Sequence, residues 1–244
     1  MLSPKIRGLS SSDSICRSAE SSTHPLVARQ AAAGFTLVEL SIVLVIIGLL
    51  VGGILKAQQL IQDARIGRTV TQVEAFRTAA ASFVDRYGAL PGDFSQADAR
   101  VSGVASGDNG NGNGRIDGGG NTGEGLLFWE HLARAGLIIG DYDGATAQLG
   151  VGLPSASVGG GFNAGQFVVQ GLAANWLLLG NPTSAGATTN ALLTPEVARR
   201  MDARVDDGQP TTGAVRTPTA DCIDDTGNYA VATSAEVCTL AFRL

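Results

Sequence analysis

The sequence predicts an α+β protein: a long N-terminal α-helix, half membrane-spanning and half amphipathic, packed on a small antiparallel-sheet domain. Three observations predict it. Twenty-one residues, Phe35 to Leu55, form an apolar run. A stripe of apolar residues at helical spacing follows, from Ile66 to Tyr87. Short strand-like runs and one well-marked helix then occupy the C-terminal half. Composition agrees. The 244 residues are 44% hydrophobic but only 5% aromatic, with 33 glycines, which suits a membrane segment joined to a loop-rich domain of small residues.

Charge is unevenly spread. The net charge is -5, yet residues 1–34 hold Lys5, Arg7, Arg17 and Arg29 against Asp13 and Glu20, a balance of +2 that leaves -7 for the rest. An acidic remainder argues against direct nucleic-acid binding, which needs a basic face. Basic residues ahead of the apolar run place the N-terminus in the cytoplasm and everything after Leu55 outside it.

At about 1.5 Å per residue the run makes roughly 31 Å of helix, close to the hydrocarbon thickness. A secretory signal core is shorter, about 7–15 residues, and its small-residue cleavage site follows it. Here the small residues, Ala31 to Gly34, come first. The run holds one ionisable side chain, Glu39. A charge costs about 2.5–3.5 kcal/mol at mid-membrane and less near an edge. Glu39 either snorkels to the headgroups or finds a partner. Cutting after Gly34 would give Phe35 a fresh ammonium at i-4, on the same helix face as Glu39, so the two could pair within one chain or between neighbours. Gly48 and Gly52 have the Gly-x-x-x-Gly spacing that lets helix backbones approach, although glycine is also ordinary in membrane helices.

The stretch GFTLVELSIVLVIIGLL, Gly34 to Leu50, resembles the N-terminal motif of type IV prepilins and type II secretion pseudopilins. The resemblance implies a pilin-like fold. It also implies that a prepilin peptidase removes residues 1–34, cutting between Gly34 and Phe35 on the cytoplasmic side, and methylates the new amine of Phe35. Glu39 matches the acidic residue that neutralises the N-terminus of an adjacent subunit during assembly. Implied partners are other pilin or pseudopilin subunits, the inner-membrane assembly platform and the inner membrane itself. The implied route is a single-pass inner-membrane protein with its C-terminal domain in the periplasm, then a pilus or pseudopilus. The chain departs from the family in its 34-residue leader, in Ala33 where lysine or arginine is common, and in lacking a proline in or just beyond the apolar run. The last point and the long outer domain lean towards a minor or atypical subunit.

After Lys56 the pattern becomes periodic. Ile66, Val70, Val73, Phe76, Ala80, Phe83 and Tyr87 recur at steps of three and four, and Gly88 and Pro91 supply stop signals. One helix over residues 35–87 is expected, 35–55 for membrane and assembly and 56–88 as the amphipathic continuation. The alternative is two helices kinked at Gly67.

Residues 89–244 form the outer domain. Its glycine- and asparagine-rich loop, residues 107–125, has two readings. Counting Asn109 as position 1 of a calcium loop puts oxygen ligands at Asn109, Asn111, Asn113, Asp117 and the Arg115 carbonyl, with Gly114 at position 6 and Glu124 replacing the acid at position 12. With so few anionic ligands, calcium would be the only cofactor and weakly held. The other reading is a loop that binds no ion.

No phosphate-binding loop or nucleophile-elbow motif occurs. Past the leader the one histidine is His131, in EGLLFWEHLARAGLI, a short helix with Leu127, Phe128, Leu132 and Ala135 on its buried face. His131 beside them reads as structural, and no nucleophile–base–acid set is available, so no enzyme is expected. GQFVVQGL and ANWLLLG read as strands joined by a short turn. Thr194 caps a helix with Pro195 at its first position, and Gly208 ends it. Cys238, Leu240, Phe242 and Leu244 alternate onto one face of a last strand. Of three cysteines, Cys16 lies in the leader. Cys222 and Cys238, outside the cytoplasm, form a disulfide or remain two buried thiols.

Two function classes remain. One is a structural subunit of a type IV pilus or type II secretion filament. The other is a single-pass anchored protein that binds calcium or another ligand outside the membrane.

Overall fold

The computed structural model describes residues 34–244; the expected leader up to residue 33, with Cys16, Arg29 and Ala33, lies outside the described residues. The chain divides into two compact units, Met1–Leu50 and Val51–Leu244. Among the described residues the elements are a long α-helix, three shorter ones, a 3-10 turn at Ala220–Cys222 and a four-stranded antiparallel sheet, an α+β arrangement.

Helix α1 runs Leu37–Tyr87, 51 residues without a break at Gly67. No proline interrupts it, so every interior N–H keeps its i-4 partner. It starts two residues later than expected. Phe35 and Thr36 precede it, so Phe35 and Glu39 do not share a helical face. In the first unit, the apolar side chains of α1 are exposed on every side; Leu37 is 87% and Leu44 69% exposed. Among the described residues one helix, α1, holds a window long and apolar enough to cross a membrane, and none of that window is buried.

Within the second unit, α1 buries one stripe: Ile66, Thr69, Val73, Phe76, Ala79, Ala80 and Phe83. Val70 and Tyr87 are half-buried against the same core. Thr69 joins the stripe because its hydroxyl donates to the Arg65 carbonyl (3.1 Å) and accepts from the Val158 N–H (3.1 Å). Phe76 anchors the contact, edge-on to Trp129 at 5.0 Å and to Phe162 at 5.3 Å between ring centres. Full burial of such a side chain contributes about 1.5–3 kcal/mol. Gly88 ends α1 at φ +73, its N–H bonded to the Val84 carbonyl at 2.8 Å.

Helix α2, Ala97–Arg100, is one turn inside the expected loop region. Helix α3, Glu124–Arg134, buries Glu124 through Leu132 without a gap, so it lies inside the unit and not on its surface. Strands β1, Gly161–Val169, and β2, Leu172–Gly180, form a hairpin whose two-residue turn is Gln170–Gly171. Both turn residues have positive φ, +49 and +75, as a tight right-twisted hairpin requires. Strand β1 starts four residues earlier than its sequence pattern indicates, because three consecutive glycines, residues 159–161, mask it. Helix α4, Pro195–Val205, is capped by Thr194, whose hydroxyl accepts from the Val197 N–H at 3.4 Å.

Strand β3, Val215–Arg216, is too short to leave a sequence signal, and β4, Leu240–Arg243, completes the sheet in the order β1-β2-β4-β3. The expected one-sided alternation of β4 is incomplete. Leu240 and Phe242 enter the main core, but Ala241 is buried too, in a second cluster with Val169, Trp176 and Leu178. The sheet is covered on both faces, so alternation no longer separates core from solvent. Cys222 and Cys238 are joined by a disulfide with Cα atoms 5.0 Å apart.

Candidate functional site

The first candidate is the start of α1. Gly34, Phe35 and Thr36 are outside the helix and exposed. Thr36 is the residue that begins it. Its carbonyl accepts from the Leu40 N–H at 3.1 Å and its hydroxyl from the Glu39 N–H at 3.2 Å. Thr36-x-x-Glu39 has the spacing of a capping box, a signal present in the sequence and overlooked beside the larger question of why Glu39 is there at all. Glu39, in the first helical turn, also sits where the positive end of the helix dipole favours an anion. Farther along, a Cβ added at Gly48 or Gly52 would meet no protein atom within 4 Å. Both glycines thus present bare backbone, with Leu44, Leu49 and Val51 exposed around them.

The second candidate is the glycine–asparagine loop. The structure brings Asn111, Asn113, Asp117 and Glu124 together and sends Asn109 elsewhere, its side-chain oxygen accepting from the Asp98 N–H at 3.0 Å. It adds Asp93, which the position count overlooks because Asp93 lies sixteen residues before Asn109. Asp93 and Glu124 are 3% and 7% exposed. Asp93 accepts from the N–H groups of Asn113 (2.9 Å) and Gly114 (2.7 Å). Glu124 accepts from those of Asn111 (2.7 Å) and Asp117 (2.8 Å). The oxygens of Asn111 and Asn113 turn to backbone N–H groups two residues on, which leaves their nitrogens facing Asp117 at 3.1 and 2.8 Å. Those two amides hold the Asp117 carboxyl below its usual range. Arg115 contributes its N–H, bonded to Asn113, and Ile116 is fully buried beneath the loop.

This donor set has the hard oxygens calcium wants, yet its oxygens point at backbone N–H groups and two amide nitrogens point inward. The loop closes through its own hydrogen bonds. A calcium ion would need the amides of Asn111 and Asn113 reversed.

His131 is fully buried in α3. Its Nδ1 accepts from the Gly92 N–H at 2.9 Å, so the proton is on Nε2, which donates to the Asp108 carbonyl at 2.9 Å. Burial lowers its pKa further below the ordinary value than that carbonyl raises it. The ring is neutral, with both nitrogens engaged. Gly92, at φ +84, passes so close to the Glu124 carbonyl that no side chain fits there. His131 therefore fixes the path of the chain after α1, as expected of a structural histidine.

A third cluster was not foreseen. The carboxylates of Asp202, Asp206 and Asp207 lie within 4.8 Å of one another. Asp202 is fully buried on α4, accepting from the Tyr229 hydroxyl at 2.8 Å and the Gly208 N–H at 3.2 Å. Burial pushes its pKa up to about 7, against those two hydrogen bonds.

Searches of curated proteins and of solved structures return no match for this chain. Residues 29–55 match the family model described as the prokaryotic N-terminal methylation motif. The match begins in the residues before the apolar run and ends with it, spanning Gly34, Phe35, Thr36 and Glu39. The chain therefore carries the prepilin-type signature, a motif that fits type IV pilins and pseudopilins alike.

Proposed function

We propose that this protein is a structural subunit of a type IV pilus or type II secretion filament, cut between Gly34 and Phe35 and assembled through the apolar part of α1. The methylation motif over residues 29–55 carries this reading. Two further features support it. Among the described residues nothing covers the apolar side chains of residues 37–55; in this reading lipid covers them before assembly and neighbouring copies afterwards. Glu39 sits in the first turn of that segment, where a methylated Phe35 ammonium from an adjacent copy can neutralise it. The outer unit is exported to the periplasm, where the Cys222–Cys238 disulfide is stable. Its role is structural and not enzymatic, in keeping with the engaged ring of His131.

The test is the N-terminus of the protein purified from cells that carry a prepilin peptidase. Mass spectrometry finding N-methyl-phenylalanine at position 35 supports the reading. An intact chain, or one cut elsewhere, removes it and leaves a simple anchored protein. A Glu39→Ala variant is processed normally but enters filaments poorly.

A further inference from the structure

We infer that Thr36 is a positioning residue for processing: by capping α1 it holds the Gly34–Phe35 peptide outside the helix, in the open form a peptidase can bind. This rests on the reading that the chain is cut there.

Hydrolysis adds water across the Gly34–Phe35 amide, leaving a carboxylate on Gly34 and an amine on Phe35. A peptide in mid-helix is a poor substrate for that step, because its carbonyl and N–H are spent on bonds to neighbouring turns. The scissile unit here is free of the helix. Residues 34–36 are non-helical and exposed, Phe35 at 74%, and among the described residues the first i-4 bond of the helix ends on the Thr36 carbonyl.

The position of that boundary has a physical cause. The first N–H groups of any helix lack partners, and at a membrane edge an orphan N–H is more costly than in water. There are two ways to satisfy them. A side chain can accept them, or the helix can lengthen until its orphans reach water. The Thr36 hydroxyl, 3.2 Å from the Glu39 N–H, provides the first. Remove it and the second becomes favourable. The helix then grows back over Phe35 and Gly34 and takes up the scissile peptide. Gly34 opposes that growth too, being a poor helix former, so residues on both sides of Phe35 keep it in the open.

The experiment follows leader removal in membranes containing a prepilin peptidase, for full-length wild type and four variants. Thr36→Ser and Thr36→Asn keep a capping oxygen. Thr36→Val keeps the shape and Thr36→Ala neither shape nor oxygen. Capping energies of the usual size predict initial cleavage rates roughly 2- to 30-fold lower for the valine and alanine variants, with serine and asparagine near wild type. Valine cleaved as fast as wild type overturns the inference. So does asparagine cleaved as slowly as valine, since that pattern means the peptidase reads threonine itself. Wild type left uncut at Gly34 is a different outcome: it removes the processing reading on which the inference stands.

Discussion

Residues 37–55 and 66–87 belong to one helix and obey different physics. The first stretch is apolar all round, and its side chains are exposed; the second shows one stripe, and that stripe is buried. Leu44 and Phe83 differ little in hydrophobicity, yet only Phe83 has a protein core to enter. The hydrophobic effect therefore acts on the two stretches through different partners. For residues 66–87 the partner is the domain's own sheet and α3. For residues 37–55 no such partner is found among the described residues, and the stretch is long and apolar enough to cross a membrane.

Four measurements break or sharpen that contrast. The largest effect is expected from Phe76→Ala, which removes the ring between Trp129 and Phe162 and lowers the unfolding free energy of the outer unit by about 3–5 kcal/mol. Leu44→Ala in the same detergent-solubilised protein changes it by less than about 0.5 kcal/mol. Chemical denaturation read by tryptophan fluorescence checks both, and equal effects would dissolve the contrast. Next, replacing Cys222 and Cys238 together by serine costs about 3 kcal/mol, the loop-entropy value for a closed loop of this size, with membrane insertion unchanged.

Then comes pH. Asp202 titrates near 7 in the folded protein, above the 3.8 of an unperturbed aspartate. Between those values the folded state holds a proton the unfolded state has lost, so stability is highest at the acid end, falls as pH rises from about 4 to about 7, and levels off above. Asp202→Asn flattens this slope; a variant that keeps it would show that another group is responsible. The smallest effect is Thr194→Ala, about 1 kcal/mol from the lost cap of α4, read as a shift in the denaturation midpoint with unchanged slope.

What was legible in the sequence follows the same division. The apolar run, the period of the stripe, the Thr194–Pro195 helix start and the hairpin are local signals, and the structure has each of them. The rest depends on distant partners. Asp93 organises a loop that begins sixteen residues later, and no spacing rule reaches that far. Ala241 is buried because the sheet has a second covered face, which alternation along β4 alone does not reveal. Asp202 owes its buried hydrogen bond to Tyr229, from a loop beyond α4, so no pattern local to that helix marks it. At the start of α1 the reverse holds. Thr36 and Glu39 are three residues apart, and the capping spacing could have been read directly.

Strand β4 lies between β2 and β3, and Arg77 of α1 donates to the carbonyls of Arg243 (2.9 Å) and Ala214 (3.5 Å). The middle of the sheet is thus filled by a strand that follows both of its neighbours in the chain. Until β4 is made, β2 and β3 lack the partner between them, and the sheet has a gap with two open edges. The second unit therefore cannot close its sheet until Phe242 arrives, so a partly unfolded chain precedes the completed one.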